Sequence, residues 1–346
     1  MQTVDDMTGA EGSAAPGRRR AWTRPVVVVV IVVVCLWLAT RFVGAIDWAA
    51  VGDALSRLRA WQVPVLLAVL LVRQTLNALP LALFIPGLGV GRALRNDLTA
   101  HLMVVVTPPP GDIVMRLAMF RSWGIDPARG LAGAMMNMLV FYVNRFTAPV
   151  VGLAVLVVLG DGSQRVGAAL ASGGVALVLA VAVAKLVQGE DMAARVARIA
   201  GRLARRLRSS IDPETWAASA VQFQGHVAGQ VRTGFPRSLL GLMVMVLADA
   251  CVLLLALRFV GVSAADIAAY EVIGTFLIAY PLTLPPFMGL GVLDLVLLAA
   301  FVEVGGIEIE PDIVAALTVW RATTLLGPIL IGLGTTAHWR ASVRSA

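Results

Sequence analysis

The sequence predicts an all-α polytopic membrane protein, and three observations on the 346-residue chain carry that reading. Its residues are 59% apolar and only 14% charged, with a mean hydropathy of +0.85, which leaves a soluble globule too little polar surface to meet water. Apolar stretches of about 20 residues, enough to cross a hydrocarbon core of about 30 Å, recur along the chain. The basic residues flank those stretches instead of collecting in a soluble domain. The expected architecture is about six full transmembrane helices plus two re-entrant elements, related as an inverted repeat.

Taken in order, residues 1–24 read as a disordered cytoplasmic N-terminus holding Arg18, Arg19, Arg20 and Arg24. The run Val26–Val34 opens a span at 25–43; with no small-x-small cleavage site after it, it reads as uncleaved. Further spans are expected at 62–85, 130–159, 166–187, 237–260 and 313–337. Residues 98–110 and 270–304 are apolar but broken by Thr107-Pro-Pro-Pro-Gly-Asp112 and Leu284-Pro-Pro-Phe-Met-Gly-Leu-Gly291. A helix that stops inside a membrane exposes backbone groups that are tolerated only within protein or against a water-filled cavity.

Short loops rich in arginine stay cytoplasmic. Arg92 and Arg95 mark the 86–97 loop, and six arginines from Arg195 to Arg208 mark the connection 188–236. Loops at 161–165, 261–269 and 303–312 are poor in bases and belong outside. Re-entrant 98–123 then enters from the cytoplasm and returns, while the hairpin 270–304 dips in from the outer face. The first half, 25–187, and the second, 237–340, therefore approach from opposite sides, with a tail at 341–346 and both termini in the cytoplasm of a cell (inner or plasma) membrane. Eight or nine complete spans with proline kinks are the alternative.

In the 188–236 connection, Val196, Ile199, Leu203 and Leu207 recur at helical spacing among arginines, which predicts a basic interfacial helix over 192–208. A second helix is expected to start at Asp212-Pro213-Glu214, a capping acid followed by proline in the first turn.

Ionisable groups within spans cost roughly 3 kcal/mol or more each near the membrane centre, so each is a site hypothesis. Arg73 with Asn77, Asn137 with Asn144 and Arg145, and Thr318 with Arg321 and Thr324 form polar faces on three spans; Asp249, Glu271 and Asp294 are the deep acids. Three arginines around one cavity suit a phosphate, whose oxygens match the guanidinium fork. Pairing of each arginine with an acid as structural glue is the competing reading. Near the first break, Asp112 and Arg116 lie four apart, as a surface ion pair or as part of a headgroup cradle at a helix start.

Other chemistries lack their residues. His101, His226 and His338 are scattered, Cys35 and Cys251 are far apart, and neither a P-loop nor a Gly-x-Ser-x-Gly elbow occurs. No catalytic constellation, cofactor or metal site is expected. The formal charge of +7 is explained by membrane topology, so nucleic acid is not an expected partner.

At its motifs the chain resembles the transmembrane domain family of lysylphosphatidylglycerol synthases, whose stand-alone members are flippase-like membrane proteins. A Pro-Gly-x-x-Gly-Glu-x-x-Arg-like segment corresponds to Pro109-Pro110-Gly111-Asp112 through Arg116, followed by Gly124-Ile125-Asp126. A Glu-Arg-x-x-Asp-like element is matched in part by Asn144-Arg145-Phe146-Thr147-Ala148. The late signature is similar to Pro285-Pro286-Phe-Met-Gly289-Leu-Gly291-Val-Leu-Asp294, with Gly306-Ile307 and Trp320-Arg321 after it. Asp112 and Asp294 stand where that pattern has glutamates, and Asn144 and Ala148 lack its middle acids, which alters the charge balance around Arg145.

The resemblance implies translocation or binding of an anionic lipid, phospholipid or polyprenyl-phosphate type, without the soluble lysyl-transferase domain. Arg145 and Arg321, with Arg73, would hold the phosphate. Asn77, Asn144, Asp112, Arg116 and Asp294 would line the headgroup site, and Pro109, Pro110, Gly111, Pro285, Pro286, Gly289 and Gly291 would form the broken helices. A non-catalytic accessory protein for envelope lipid or glycan enzymes, and a small-anion secondary transporter, are the alternatives. Membrane lipids are the expected partners, with a homo-oligomer or an envelope-synthesis enzyme as possible others.

Overall fold

A computed structural model describes residues 56–107, 111–160, 166–187, 212–284 and 289–344, with isolated positions between 191 and 202, all within the compact unit Asp47–Ala346. The expected span at 25–43, Pro109, Pro110, Pro285, Pro286 and most of the basic helix 192–208 lie outside the described residues.

No strand occurs among the described residues. The helices are α1 (Gln62–Phe84), α2 (Gly89–Val106), α3 (Gly111–Ser122), α4 (Pro127–Leu159), α5 (Val166–Val187), α6 (Pro213–Val260), α7 (Ala269–Ala279), α8 (Val292–Gly305), α9 (Glu310–Arg321) and α10 (Gly327–Arg344). Four helices among the described residues are long and apolar enough to cross a membrane: Gln62–Phe84, Pro127–Leu159, Thr233–Val260 and Ile307–Ala341. The apolar stretch described in α5, Ser172–Ala182, is shorter than a span.

Local chemistry sets the helix starts. Asp126 accepts from the Arg129 amide ahead of Pro127, and Asp212 accepts from the Glu214 and Thr215 amides ahead of Pro213. Both are N-caps followed by proline at a position whose amide needs no partner. Two boundaries differ from expectation. The 86–97 loop is mostly helix, because α1 turns into α2 within four residues and places Arg92 on α2, 5.9 Å over the Trp123 ring. The helix expected to start at Asp212-Pro213 and the span expected from 237 form one helix: α6 runs for 48 residues through Pro236.

Helices α1 and α6 are antiparallel. Phe84 packs on Gly234, Arg73 reaches Asp249, and Trp61 stacks edge-on against Phe259 at 5.5 Å. Their C-terminal ends therefore lie at opposite ends of the bundle, and each leads into a helical hairpin. In the first, Arg116 of α3 bonds Asn96 and Asp97 of α2 while Trp123 meets Arg92 nearer the base. That antiparallel register puts Thr107 and Gly111 at the far end of the hairpin. In the second, Gly305 at the end of α8 faces Ile267 just before α7, so Leu284 and Gly289 lie toward its far end.

The last span crosses both. Asp312 pairs with Arg57 at the Trp61 end, Asp294 of the second hairpin pairs with Arg321, and Gly332 packs on Leu98 and Leu102 of the first hairpin. Thr107, five residues past Leu102 at about 1.5 Å each, reaches roughly the level of Gly327. The level of Thr107 and the Asp294–Arg321 pair thus bracket Ala322–Leu326, a π-helical segment of the kind that recurs at functional sites.

Gly289 shows how tightly the second tip is built. Its φ is +69°, and a Cβ there would run into the Leu282 backbone carbonyl. A left-handed L-residue costs roughly 1–2 kcal/mol before any clash. Gly289→Ala is expected to lower the thermal stability of the detergent-solubilised protein by a few degrees. An unchanged melting curve would show the tip to be pliable.

Candidate functional site

The polar core grows from α1. Arg73, 5% exposed, donates from Nη2 to Asp249 Oδ2 at 3.0 Å and from Nη1 to Gln74 Oε1. The other Asp249 oxygen accepts from Trp320 Nε1 at 3.0 Å, so one carboxylate joins α1, α6 and α9. The Trp320 ring carries the Arg321 guanidinium at 4.5 Å and meets Phe276 edge-on at 5.6 Å. Phe276 lies 6.0 Å from Tyr280, and the Arg145 guanidinium sits 5.8 Å over the Tyr280 ring. The three deep arginines are thus linked through one chain of aromatic rings.

Their charges are handled differently. Arg73 and Arg321 each have a carboxylate, as the competing ion-pair reading expects. Asp294 accepts from Arg321 Nε at 2.7 Å and Nη2 at 3.0 Å, a forked geometry that adds direction as well as charge. It also accepts from the Gly291 amide at 2.7 Å, which ties the hairpin tip to the last span. Gly291 has φ +83°, a conformation that favours glycine where the chain re-enters α8. Arg145 has no ion pair among the described residues, and its Nε is buried without a hydrogen-bond partner. Asn144 beside it is fully buried, with both amide atoms unpartnered.

Several of the expected residues have partners of their own. Arg73 and Asn77 share a helix face, and Asn77 donates to Asp97 Oδ2 at 2.6 Å while Arg73 turns to Asp249. Arg116 pairs with Asp97 at 2.9 Å and not with Asp112, which stands in the first turn of α3. Arg116 and Asn77 therefore close the first hairpin onto α1. Gly111 packs against Thr107 so closely that a Cβ would strike it. Thr318 and Thr324 bond carbonyls of their own helix, and Glu271 caps the start of α7 through the Ala268 amide.

Asp249 was legible as a deep acid and Trp320 as part of the late signature, whereas Tyr280 and Asp97 carried no signal. Aromatic residues inside apolar runs look like lipid anchors, and Asp97 fell in a stretch read as loop.

Beside this cluster an apolar cavity of about 530 Å³ opens between α4, α5, α7 and α8, lined by Phe146, Pro149, Ser172, Thr275, Val296 and Ala300 among others. Phe146 follows Arg145, and the flanks of Tyr280, Ala279 and Pro281, are part of its wall. Arg145 and Tyr280 do not line this apolar space themselves, but the residues next to them in the chain do.

These features define a multi-pass helical membrane protein with two opposed hairpins closing on a charged, aromatic core. The family model for the lysylphosphatidylglycerol synthase TM region matches residues 26–332, and the chain belongs to that family. No curated protein and no solved structure matches it.

Proposed function

We propose that this chain binds the phosphate of an anionic membrane lipid, phospholipid or polyprenyl-phosphate type, at Arg145 and carries it between leaflets without covalent chemistry. The observation behind this is Arg145 itself. Two of the three deep arginines are neutralised by carboxylates, and this one has an aromatic face, an unused Nε and an apolar cavity beside it. An uncompensated guanidinium within a membrane span attracts an anion, and its fork fits phosphate. The cavity offers room for the lipid's hydrocarbon next to its headgroup.

The topology supports the same reading. Counting positive charges puts the Phe84 end in the cytoplasm of a cell membrane, so the first hairpin is re-entrant from inside and the second from outside. Broken elements that meet at one level between inverted repeats are where secondary transporters hold substrate. Membrane lipids are then the partners.

A liposome assay with labelled lipid tests this. The purified protein should speed exchange of anionic phospholipid or polyprenyl phosphate between leaflets over protein-free liposomes, and favour these over a zwitterionic lipid. Absence of both exchange and binding for every anionic lipid would overturn the reading.

A further inference from the structure

We infer that the seam between α1, α4 and α6 holds a file of water molecules, which connects the Phe84 end of the bundle to the Arg73–Asp249 ion pair. The buried side-chain atoms without hydrogen-bond partners among the described residues are Arg73 Nε, Asn137 Oδ1, both Asn144 amide atoms, Arg145 Nε and Ser238 Oγ, all on those three helices. Asn144 and Ser238 are 0% exposed and Arg73 5%. Such groups are nearly always satisfied in folded proteins, by protein or by ordered water.

Register places them in two layers. Ile85 packs on Gly133 and Phe84 on Gly234, which aligns the three helices at that end. Four residues further into the bundle come Asn137 on α4, Ser238 on α6 and Pro80 on α1. Pro80 lies inside α1 and has no amide to offer the Leu76 carbonyl. Seven residues beyond, about 10 Å at 1.5 Å each, Asn144 and Arg73 are level, and the Arg73 side chain reaches Asp249. Ser238 and Asp249 are eleven apart and so lie on one stripe of α6.

The chemistry selects the occupant. Arg145 aside, which lies over the Tyr280 ring, the unpartnered atoms comprise donors (Arg73 Nε, Asn144 Nδ2), acceptors (Asn137 Oδ1, Asn144 Oδ1) and a hydroxyl. A halide satisfies only the donors and a cation only the acceptors, whereas water satisfies both and makes about three bonds when buried. The file gives the ion pair contact with solvent from one end of the bundle only.

Thiol reactivity tests this independently of lipid transport. With Cys35 and Cys251 replaced by alanine, Ser238→Cys and Asn144→Cys are treated with a small, membrane-impermeant thiosulfonate in sealed vesicles of each orientation. Thr233→Cys is the exposed control and Leu253→Cys the dry one. A thiol in apolar surroundings is inert because the thiolate is the reactive form, so Ser238→Cys should react at least about tenfold faster than Leu253→Cys, from the Phe84 side alone, with Asn144→Cys slower from that same side. Reactivity of Ser238→Cys equal to Leu253→Cys, or equal from both sides, would overturn the inference, and Ser238→Cys decides it alone if the second variant does not fold.

Discussion

Asp249→Leu is expected to destabilise the protein more than any other single substitution in the polar core, by about 3–5 kcal/mol, the usual result of removing one partner of a buried ion pair. The carboxylate is 2% exposed and serves two helices besides its own, accepting from Arg73 and from Trp320. Its loss leaves an uncompensated guanidinium and an indole N–H without an acceptor. The double variant Arg73→Leu/Asp249→Leu removes the stranded charge and should recover about half of the loss, since apolar replacement of a buried pair is often near neutral. The unpaired indole keeps roughly 1–3 kcal/mol of the deficit. Thermal unfolding in one detergent checks both. A double variant no better than the single one would mean that Asp249 matters through packing rather than charge.

What the sequence made legible, and what it did not, divides along physical lines. Hydropathy located the long spans because lipid demands about 20 apolar residues in a row, and α1, α4 and the helix Ile307–Ala341 lie where those runs are. The breaks were legible because proline and glycine interrupt hydrogen-bond ladders, and the flanking helices do pack as hairpins. Partner choice was not legible. Arg116 could reach Asp112 at helical spacing, yet α2 brings Asp97 and Asn96 from 19 and 20 residues away, and only the folded hairpin decides between them. The same holds for Arg73, whose acid comes from α6 and whose four-apart neighbour Asn77 turns to α2.

The substituted middle motif ties sequence to site most directly. The family-like pattern has acids where this chain has Asn144 and Ala148, and in the fold Arg145 is the deep arginine left without a carboxylate. Asn144 carries two amide atoms without hydrogen-bond partners among the described residues, and under the proposed function the missing acids leave the anion-attracting charge on Arg145.

Arg145→Ala is accordingly expected to abolish most anionic-lipid exchange while leaving the fold intact. A charge-assisted contact to phosphate contributes about 1.5–3 kcal/mol, so binding should weaken roughly ten- to a hundredfold. Stability should change little, because Arg145 has no ion pair to break and its ring contact with Tyr280 at 5.8 Å is worth about 1 kcal/mol or less at a partly exposed site. This is the reverse of Asp249→Leu, which should lose stability first. Arg145→Lys separates charge from shape: an ammonium keeps the attraction but not the planar fork, so it should retain part of the binding and show a steeper loss with added salt. Measured together, lipid binding and melting temperature give each variant a signature. Equal loss of both in Arg145→Ala would make the residue a structural post, and full binding in that variant would remove it from the site and shift the search to Arg321 and its partner Asp294.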